Sequence, residues 1–204
     1  MKILVLDNYD SFTYNLVQLL TENSKATVEV FRNDKISLDK VAEYDKIMLS
    51  PGPGLPQESG ILMQLIEKYA PSKSIFGVCL GLQAIASVFG GKLYNLPHVV
   101  HGVATHVNII RNSYILAGLS PTFIAGRYHS WVADVDTLPD CLEITAEDAN
   151  HQIMAIQHKT YDLCAVQFHP ESILTPEGEM IIQNWLKTGK TKITKNSTST
   201  QHSK

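Results

Sequence analysis

The 204 residues are enough for one domain with a sizeable apolar core, because a chain of this length can bury about 70% of its unfolded surface. A formal net charge of −3 gives no electrostatic reason to expect nucleic acid or an anionic membrane as a partner. No apolar stretch reaches the roughly 20 residues of a membrane span. The three scattered cysteines form no CxxC pair and favour a reducing compartment. We therefore predict a cytoplasmic protein without a disulfide framework.

The first ninety residues alternate between short apolar strands and helical patterns. We predict strands at 2–6, 27–31, 46–50 and 74–78, and helices at 12–23, 60–69 and 80–90. Ser11 is the expected N-cap of the first helix, and PGPGLP after the third strand predicts a loop. This alternation is typical of right-handed βαβ units on a parallel sheet.

The second half contains strand patterns with little helix between them. They cover 103–110, 122–128, 142–148, 152–158 and 163–168, and a last helix is predicted over 176–189. The predicted fold class is α/β, with a mixed, mostly parallel central sheet flanked by helices and a smaller antiparallel sheet. We predict one domain over 1–187 and a disordered tail over 188–204, since the tail is polar and nearly without apolar residues.

The stretch GVCLG places Cys79 between Gly77 and Gly81, after a predicted strand and before a predicted helix. This is the layout of a nucleophile elbow, with sulfur in place of the serine oxygen. The helix N-terminus favours a thiolate, and its backbone N–H groups can bind a developing oxyanion. Cys141 and Cys164 lack flanking glycines and are expected to be core residues.

A thiol nucleophile needs a base and a group that orients the base. The stretch QFHPES supplies His169 and, two residues later, Glu171 at the end of a predicted strand. Because the ends of neighbouring parallel strands meet at one edge of a sheet, these residues predict a Cys–His–Glu triad with Cys79. The competing interpretation is a surface histidine beside a strand-terminating proline.

No metal or nucleotide site is expected. His98, His101 and His106 have no ligand spacing and no nearby cysteine or acidic partner. The glycine-rich SPGPGLP lacks both the GxGxxG pattern and the lysine of a P-loop.

Five motifs together resemble the class I glutamine amidotransferases, whose fold is flavodoxin-like. They are LDNYDSFTYNL (6–16), SPGPG (50–54), GVCLG (77–81), GRYHS (126–130) and QFHPES (167–172). The first and fourth point to the glutaminase subunits of anthranilate and aminodeoxychorismate synthases. The resemblance covers about residues 1–187.

The resemblance implies that Cys79 attacks the side-chain amide of L-glutamine, His169 moves the proton and Glu171 orients His169. It implies an oxyanion hole from the backbone amides of Gly54 and Leu80. It also implies that the amino-acid end of glutamine is held by Gly52, Gln83, Ser130 and Trp131. No metal or cofactor would be needed on this subunit. Ammonia would pass to a chorismate-binding synthase subunit, which carries Mg²⁺ and forms a heteromer with this chain.

Two positions depart from the family pattern. Leu82 stands where the family usually has His, and Val103 where it often has Lys. We expect Leu82 to alter a contact beside the nucleophile and Val103 to alter the partner face. The expected pathway is anthranilate and tryptophan synthesis, and the alternative is aminodeoxychorismate and folate synthesis. Two further alternatives are a catalytically silent subunit, marked by Leu82, and a free-standing γ-glutamyl hydrolase.

Overall fold

The computed structural model describes residues 1–187, with His98 and Val99 described by their backbone alone; the predicted tail, 188–204, lies outside the described residues. Short apolar runs with β-branched residues form the strands, and runs with helical spacing form the helices. The strands are β1 (Lys2–Asp7), β2 (Thr27–Arg32), β3 (Lys46–Leu49), β4 (Ser74–Val78), β5 (Leu93–Ile109), β6 (Thr122–Ala133), β7 (Leu142–Asp148), β8 (Ile153–His158) and β9 (Leu163–Val166). The helices are α1 (Thr13–Glu22), α2 (Leu62–Tyr69), α3 (Leu80–Val88) and α4 (Gly178–Lys187).

The nine strands found among the described residues belong to one sheet, in the order β2-β1-β3-β4-β9-β8-β7-β5-β6. The pairs from β2 to β9 are parallel, and those from β9 to β6 are antiparallel. The predicted α/β class with a mixed central sheet flanked by helices is confirmed, but the strands of the predicted smaller antiparallel sheet belong to the central sheet itself. The antiparallel strands continue the parallel ones in the same sheet, through the pairing of β9 with β8.

Both faces of the parallel half are buried apart from the edge strand β2, as is usual for parallel strands covered by helices. Leu4 and Leu6 of β1 belong to the core that includes side chains of α2 and α3. Ile3 and Val5, which alternate with them, belong to the core that includes side chains of α1 and α4. Trp185 of α4 lies in this second core with no exposed surface. The sheet is therefore the central layer of three.

The N-cap predicted for α1 is wrong. The helix begins at Thr13 with Phe12 as its N-cap residue, which makes no side-chain capping bond. Carboxylates organise the turn instead, because Asp10 accepts a hydrogen bond from the Phe12 amide at 2.7 Å and Asp7 accepts one from the Thr13 hydroxyl at 2.9 Å. Acidic side chains can bind the free N–H groups of a helix start as a serine would.

Strand β5 is ten residues longer at its start than the predicted strand. Its first part contains Pro97 and Gly102, and its pairing with β6 shifts register twice. Only residues 107–109 pair with β7, so within the described residues no strand lies beside the other edge of the long first part. A proline is tolerated at such an edge, which explains how the strand passes through a sequence that contains turn signals.

Candidate active site

Cys79 occupies the sharp turn between β4 and α3. Its backbone is in the left-handed region, with φ +52° and ψ −99°, which is strained for a residue with a side chain. The turn is held by a hydrogen bond from the Cys79 amide to the Val166 carbonyl of β9, at 2.8 Å. The side chain is 5% exposed, at the first turn of α3. This is the geometry expected of a nucleophile elbow.

The two glycines that flank Cys79 are required by close packing. A Cβ on Gly77 would lie 2.7 Å from the carbonyl carbon of Gly81, and a Cβ on Gly81 would lie 3.0 Å from the Leu49 carbonyl oxygen. The obstacles are backbone atoms, which cannot turn aside as a flexible side chain can. Gly77 therefore lets the start of α3 fold back onto β4, and Gly81 lets that helix pack against β3.

His169 and Glu171 form a buried pair. The Glu171 Oε1 atom lies 2.7 Å from His169 Nδ1, and the two side chains are 0% and 2% exposed. The backbone of His169 is held at both ends, since its amide donates to the Gly126 carbonyl at 3.0 Å and its carbonyl accepts from the Thr175 hydroxyl at 2.7 Å. The carboxylate thus holds Nδ1 of the ring and leaves Nε2 pointing away from it.

The free nitrogen of His169, Nε2, is buried without a hydrogen-bond partner in the described part of the chain. Burial would lower the pKa of His169, but the nearby Cys79 thiol and Glu171 carboxylate raise it to about 10. The rings of Tyr128 and Phe12 pack on the imidazole, with centroid distances of 4.9 and 5.5 Å. The structure therefore brings the three residues of the predicted triad together, and the thiol and the carboxylate beside the imidazole favour its taking up a proton.

The predicted ligand loop after β3 packs against the elbow. A Cβ on Gly52 would lie 2.6 Å from Asn8 Cβ and 2.7 Å from Leu80 Cδ2, so only glycine fits there. Gly54 has φ +74°, and a Cβ on it would lie 2.9 Å from a carboxylate oxygen of Glu58. Leu80 is the first residue of α3, and its backbone N–H has no acceptor within the helix. Gly52 and Leu80 are thus in contact beside Cys79.

Gln83 and Trp131 are joined directly. The Gln83 side-chain amide donates to the Trp131 carbonyl at 2.8 Å, which ties α3 to the end of β6. Gln83 is 3% exposed, whereas Ser130 and Trp131 are half-buried. The structure thus places Gln83 and Trp131 together, one helical turn from Cys79, with Ser130 adjacent in the chain.

Asn8 is a site residue that the sequence analysis missed. Its side chain donates to the Ser50 carbonyl at 2.9 Å and accepts from Asn33 at 3.0 Å, and its amide donates to the Ser50 hydroxyl at 2.8 Å. These bonds fix the start of the loop that carries Gly52. The signal was its place directly after β1, since β1 and β3 end at the same edge of the sheet.

A second missed group is a buried hydrogen-bond network around Arg127. Arg127 donates to His129 Nε2 at 3.1 Å and to Asp148 at 2.6 Å, and it also donates to Gln152. Arg127, His129 and Asp148 are each at most 5% exposed. Burial, the Arg127 charge and the His169 charge lower the pKa of His129 to about 3. The GRYHS motif therefore contributes a neutral histidine that accepts from a buried arginine.

The two departures from the family pattern lie in different environments. Leu82 is fully buried in the core that α3 forms with α2, and Val103 is 45% exposed on β5. All three cysteines are free thiols. Burial raises the pKa of Cys164 to about 12, and Cys141 is half-buried. Among residues 1–187, no helix is long and apolar enough to cross a membrane, and no cluster of His, Cys, Asp and Glu is arranged to hold a metal ion.

Comparison with known proteins identifies the class to which this fold and site belong. The family model "Glutamine amidotransferase class-I" matches residues 4–188, and the chain belongs to that family. It is accordingly a glutamine amidotransferase enzyme, as the sequence predicted. The structure is also similar to that of a protein from Thermoplasma acidophilum described as a GMP synthase subunit. That likeness has a TM-score of 0.82 and 28% identity, and it covers 91% of this chain and 92% of the other.

Within the family, this chain is similar to proteins named as subunits of anthranilate synthase. It is 46% identical to the chloroplastic anthranilate synthase beta subunit 2 of rice, over 91% of this chain and 70% of that protein. It is 44% identical to the aminodeoxychorismate/anthranilate synthase component 2 of Bacillus subtilis, over 91% of this chain and 96% of that protein. It is 42% identical to the anthranilate synthase component 2 of Pseudomonas aeruginosa, with 91% and 94% covered.

Proposed function

We propose that this chain is the glutaminase subunit of an anthranilate synthase. In this role it hydrolyses L-glutamine through Cys79, His169 and Glu171 and delivers the ammonia to a partner subunit. The observation that carries the proposal is the left-handed elbow of Cys79 beside the buried pair of His169 and Glu171. A core cysteine needs neither the strained turn nor the glycines that permit it.

The proposed reaction proceeds through a thioester. The Cys79 thiol gives its proton to His169, and the sulfur attacks the side-chain amide carbon of glutamine. His169 returns the proton to the amide nitrogen as the C–N bond breaks, so ammonia leaves and a glutamyl thioester remains. Water then attacks the thioester, His169 accepts its proton, and glutamate and the free thiol are released. Glu171 holds the imidazole and stabilises its positive charge.

The remaining predicted residues have roles in binding. We propose that the backbone N–H groups of Gly54 and Leu80 bind the oxyanion, supported by the place of Leu80 at the start of α3. Gly52, Gln83, Ser130 and Trp131 are proposed to hold the amino-acid end of glutamine. No step above requires a metal or cofactor on this subunit.

The proposed partner is a chorismate-binding synthase subunit that carries Mg²⁺ and forms a heteromer with this chain. The names of the rice and Pseudomonas relatives support anthranilate as the product. The Bacillus relative is named for both anthranilate and aminodeoxychorismate, which supports folate synthesis as the second candidate function. A cytoplasmic location stays a prediction, and the rice relative is chloroplastic by name.

The test is product formation from glutamine, chorismate and Mg²⁺ with each candidate synthase subunit in turn. We expect anthranilate fluorescence with the anthranilate synthase partner, loss of this signal in Cys79→Ser, and its recovery when ammonium is added. Product with the aminodeoxychorismate partner alone would overturn the proposed pathway and keep the chemistry. Glutamine-dependent product that survives Cys79→Ser would overturn the chemistry.

A further inference from the structure

The sheet places a third polar side chain against the sulfur of Cys79. Strands β4 and β9 are paired with Val78 opposite Val166, so the next residues, Cys79 and Gln167, stand side by side at the carboxyl edge. Gln167 has no exposed surface, and its side-chain nitrogen lies 3.5 Å from Cys79 Sγ. This distance suits an N–H group that donates to sulfur.

The direction of this hydrogen bond is set by a main-chain carbonyl. The Trp131 carbonyl can only accept, so the Gln83 side chain must present its NH₂ group there, at 2.8 Å. The same NH₂ group lies 3.4 Å from the side-chain oxygen of Gln167. Gln167 therefore turns its oxygen toward Gln83 and its own NH₂ group toward Cys79. The reverse orientation would set two donors against each other.

We propose that Gln167 is a further catalytic residue, whose side-chain N–H donates to the Cys79 sulfur and stabilises it as a thiolate. The inference rests on the proposed role of Cys79 as the nucleophile. A donor favours the charged form because hydrogen bonds to ionised acceptors are stronger than those to neutral ones. Gln167 is neutral and keeps its protons, so it does not compete with His169 as the base.

The same bond assists both halves of the reaction. Before attack, it holds the sulfur at a fixed position. During hydrolysis of the thioester, the C–S bond breaks and its electron pair returns to sulfur, and the Gln167 N–H again meets a thiolate. A residue that stabilises the departing thiolate accelerates this second half, since a more stable thiolate leaves faster.

The test measures the rate of Cys79 alkylation by iodoacetamide as a function of pH, in the full-length chain without glutamine. Alkylation is followed by mass spectrometry of the peptide that contains Cys79, because iodoacetamide reacts with the thiolate. The variants are Gln167→Met, which keeps the side-chain volume, and Gln83→Met, which removes the anchor without touching the sulfur. Gln157→Met is the matched control, because its amide donates to Asn112 and Glu143 instead.

We expect the pH at which alkylation is half-maximal to rise by about one to two units in Gln167→Met, corresponding to a roughly tenfold to hundredfold slower alkylation at pH values well below the midpoint. A smaller rise is expected in Gln83→Met and none in Gln157→Met. An unchanged midpoint in folded Gln167→Met would overturn the inference. If Gln167→Met does not fold, an unchanged midpoint in Gln83→Met would overturn the inference instead. Failure of the proposed function is distinguishable, because glutamine hydrolysis would then survive Cys79→Ser.

Discussion

The buried His129 of the GRYHS motif predicts that the protein loses folding stability at acidic pH. His129 Nε2 accepts from Arg127, and a protonated imidazole would lose this bond and set a second cation against the guanidinium. Its pKa is lowered to about 3 by burial, Arg127 and His169, while an unfolded histidine has its ordinary value of 6.5. Between these two pH values the unfolded chain binds one proton more than the native protein at this residue. Stability is therefore fully present above pH 6.5 and is lost as the pH falls toward 3.

The size of the effect follows from the pKa difference. Each pH unit in this interval removes about 1.4 kcal/mol of unfolding free energy, so the two units between pH 6.5 and pH 4.5 remove about 3 kcal/mol. This is a large part of the total stability of a typical domain, about 5–15 kcal/mol. The perturbation is His129→Gln, because the amide oxygen can accept from Arg127 and takes up no proton in this range.

The assay is urea unfolding of both proteins at pH 7 and pH 4.5. We expect the wild type to lose about 3 kcal/mol more than His129→Gln on acidification. His106→Gln, at an exposed position of β5, is the matched control and should lose as much stability as the wild type. Parallel losses in the wild type and His129→Gln would refute the reasoning, since other titrating groups would then account for the acid sensitivity.

Three further substitutions test the Cys79 elbow, the pair of His169 and Glu171, and the apolar cluster around Leu82. Gly77→Ala should cost about 1–3 kcal/mol in urea unfolding and lower glutaminase turnover at least tenfold, because its methyl group would meet backbone 2.7 Å away. The control is Gly118→Ala, which is strained by its backbone angle of φ +83° but has no such close backbone contact. It should cost about 1 kcal/mol of unfolding free energy and leave glutaminase turnover unchanged. Equal turnover in the two variants would contradict the role given to the elbow. Glu171→Gln should move the pKa of His169, followed by NMR of the imidazole, down toward 6.5, and an unchanged value would contradict the role of the carboxylate. Leu82→His should lower the unfolding free energy by about 1–3 kcal/mol, because it buries a polar ring in an apolar cluster, and an unchanged value would show that the ring finds a partner.

The periodicity of the sequence was sufficient for the parallel half of the fold. The predicted strand at 2–6 and the helix at 80–90 appear within a residue or two as β1 and α3, because each carries its own pattern of apolar residues. The start of β5 has no such pattern. It is a strand because β6 pairs with it, and a sequence does not show such a partner. The continuity of the antiparallel strands with the parallel sheet likewise depends on long-range pairing.

The candidate site was predictable where a residue type is unusual for its place. Cys79 between glycines and His169 before a proline and an acidic residue are unusual, and the structure brings them together. Gln167 and Asn8 lay inside motifs already identified, yet an amide at the end of a strand is common and carries no chemical signal alone. Only the strand register places Gln167 beside the sulfur of Cys79.

The most direct test of the central claim is to trap the covalent intermediate. The chain, assembled with its synthase partner, is mixed with isotopically labelled glutamine and quenched in acid within one turnover, and its peptides are analysed by mass spectrometry. We expect a labelled glutamyl group on the peptide that contains Cys79, and none in Cys79→Ser. Label on another residue, or labelled glutamate formed at the wild-type rate by Cys79→Ser, would contradict the assignment of Cys79 as the nucleophile.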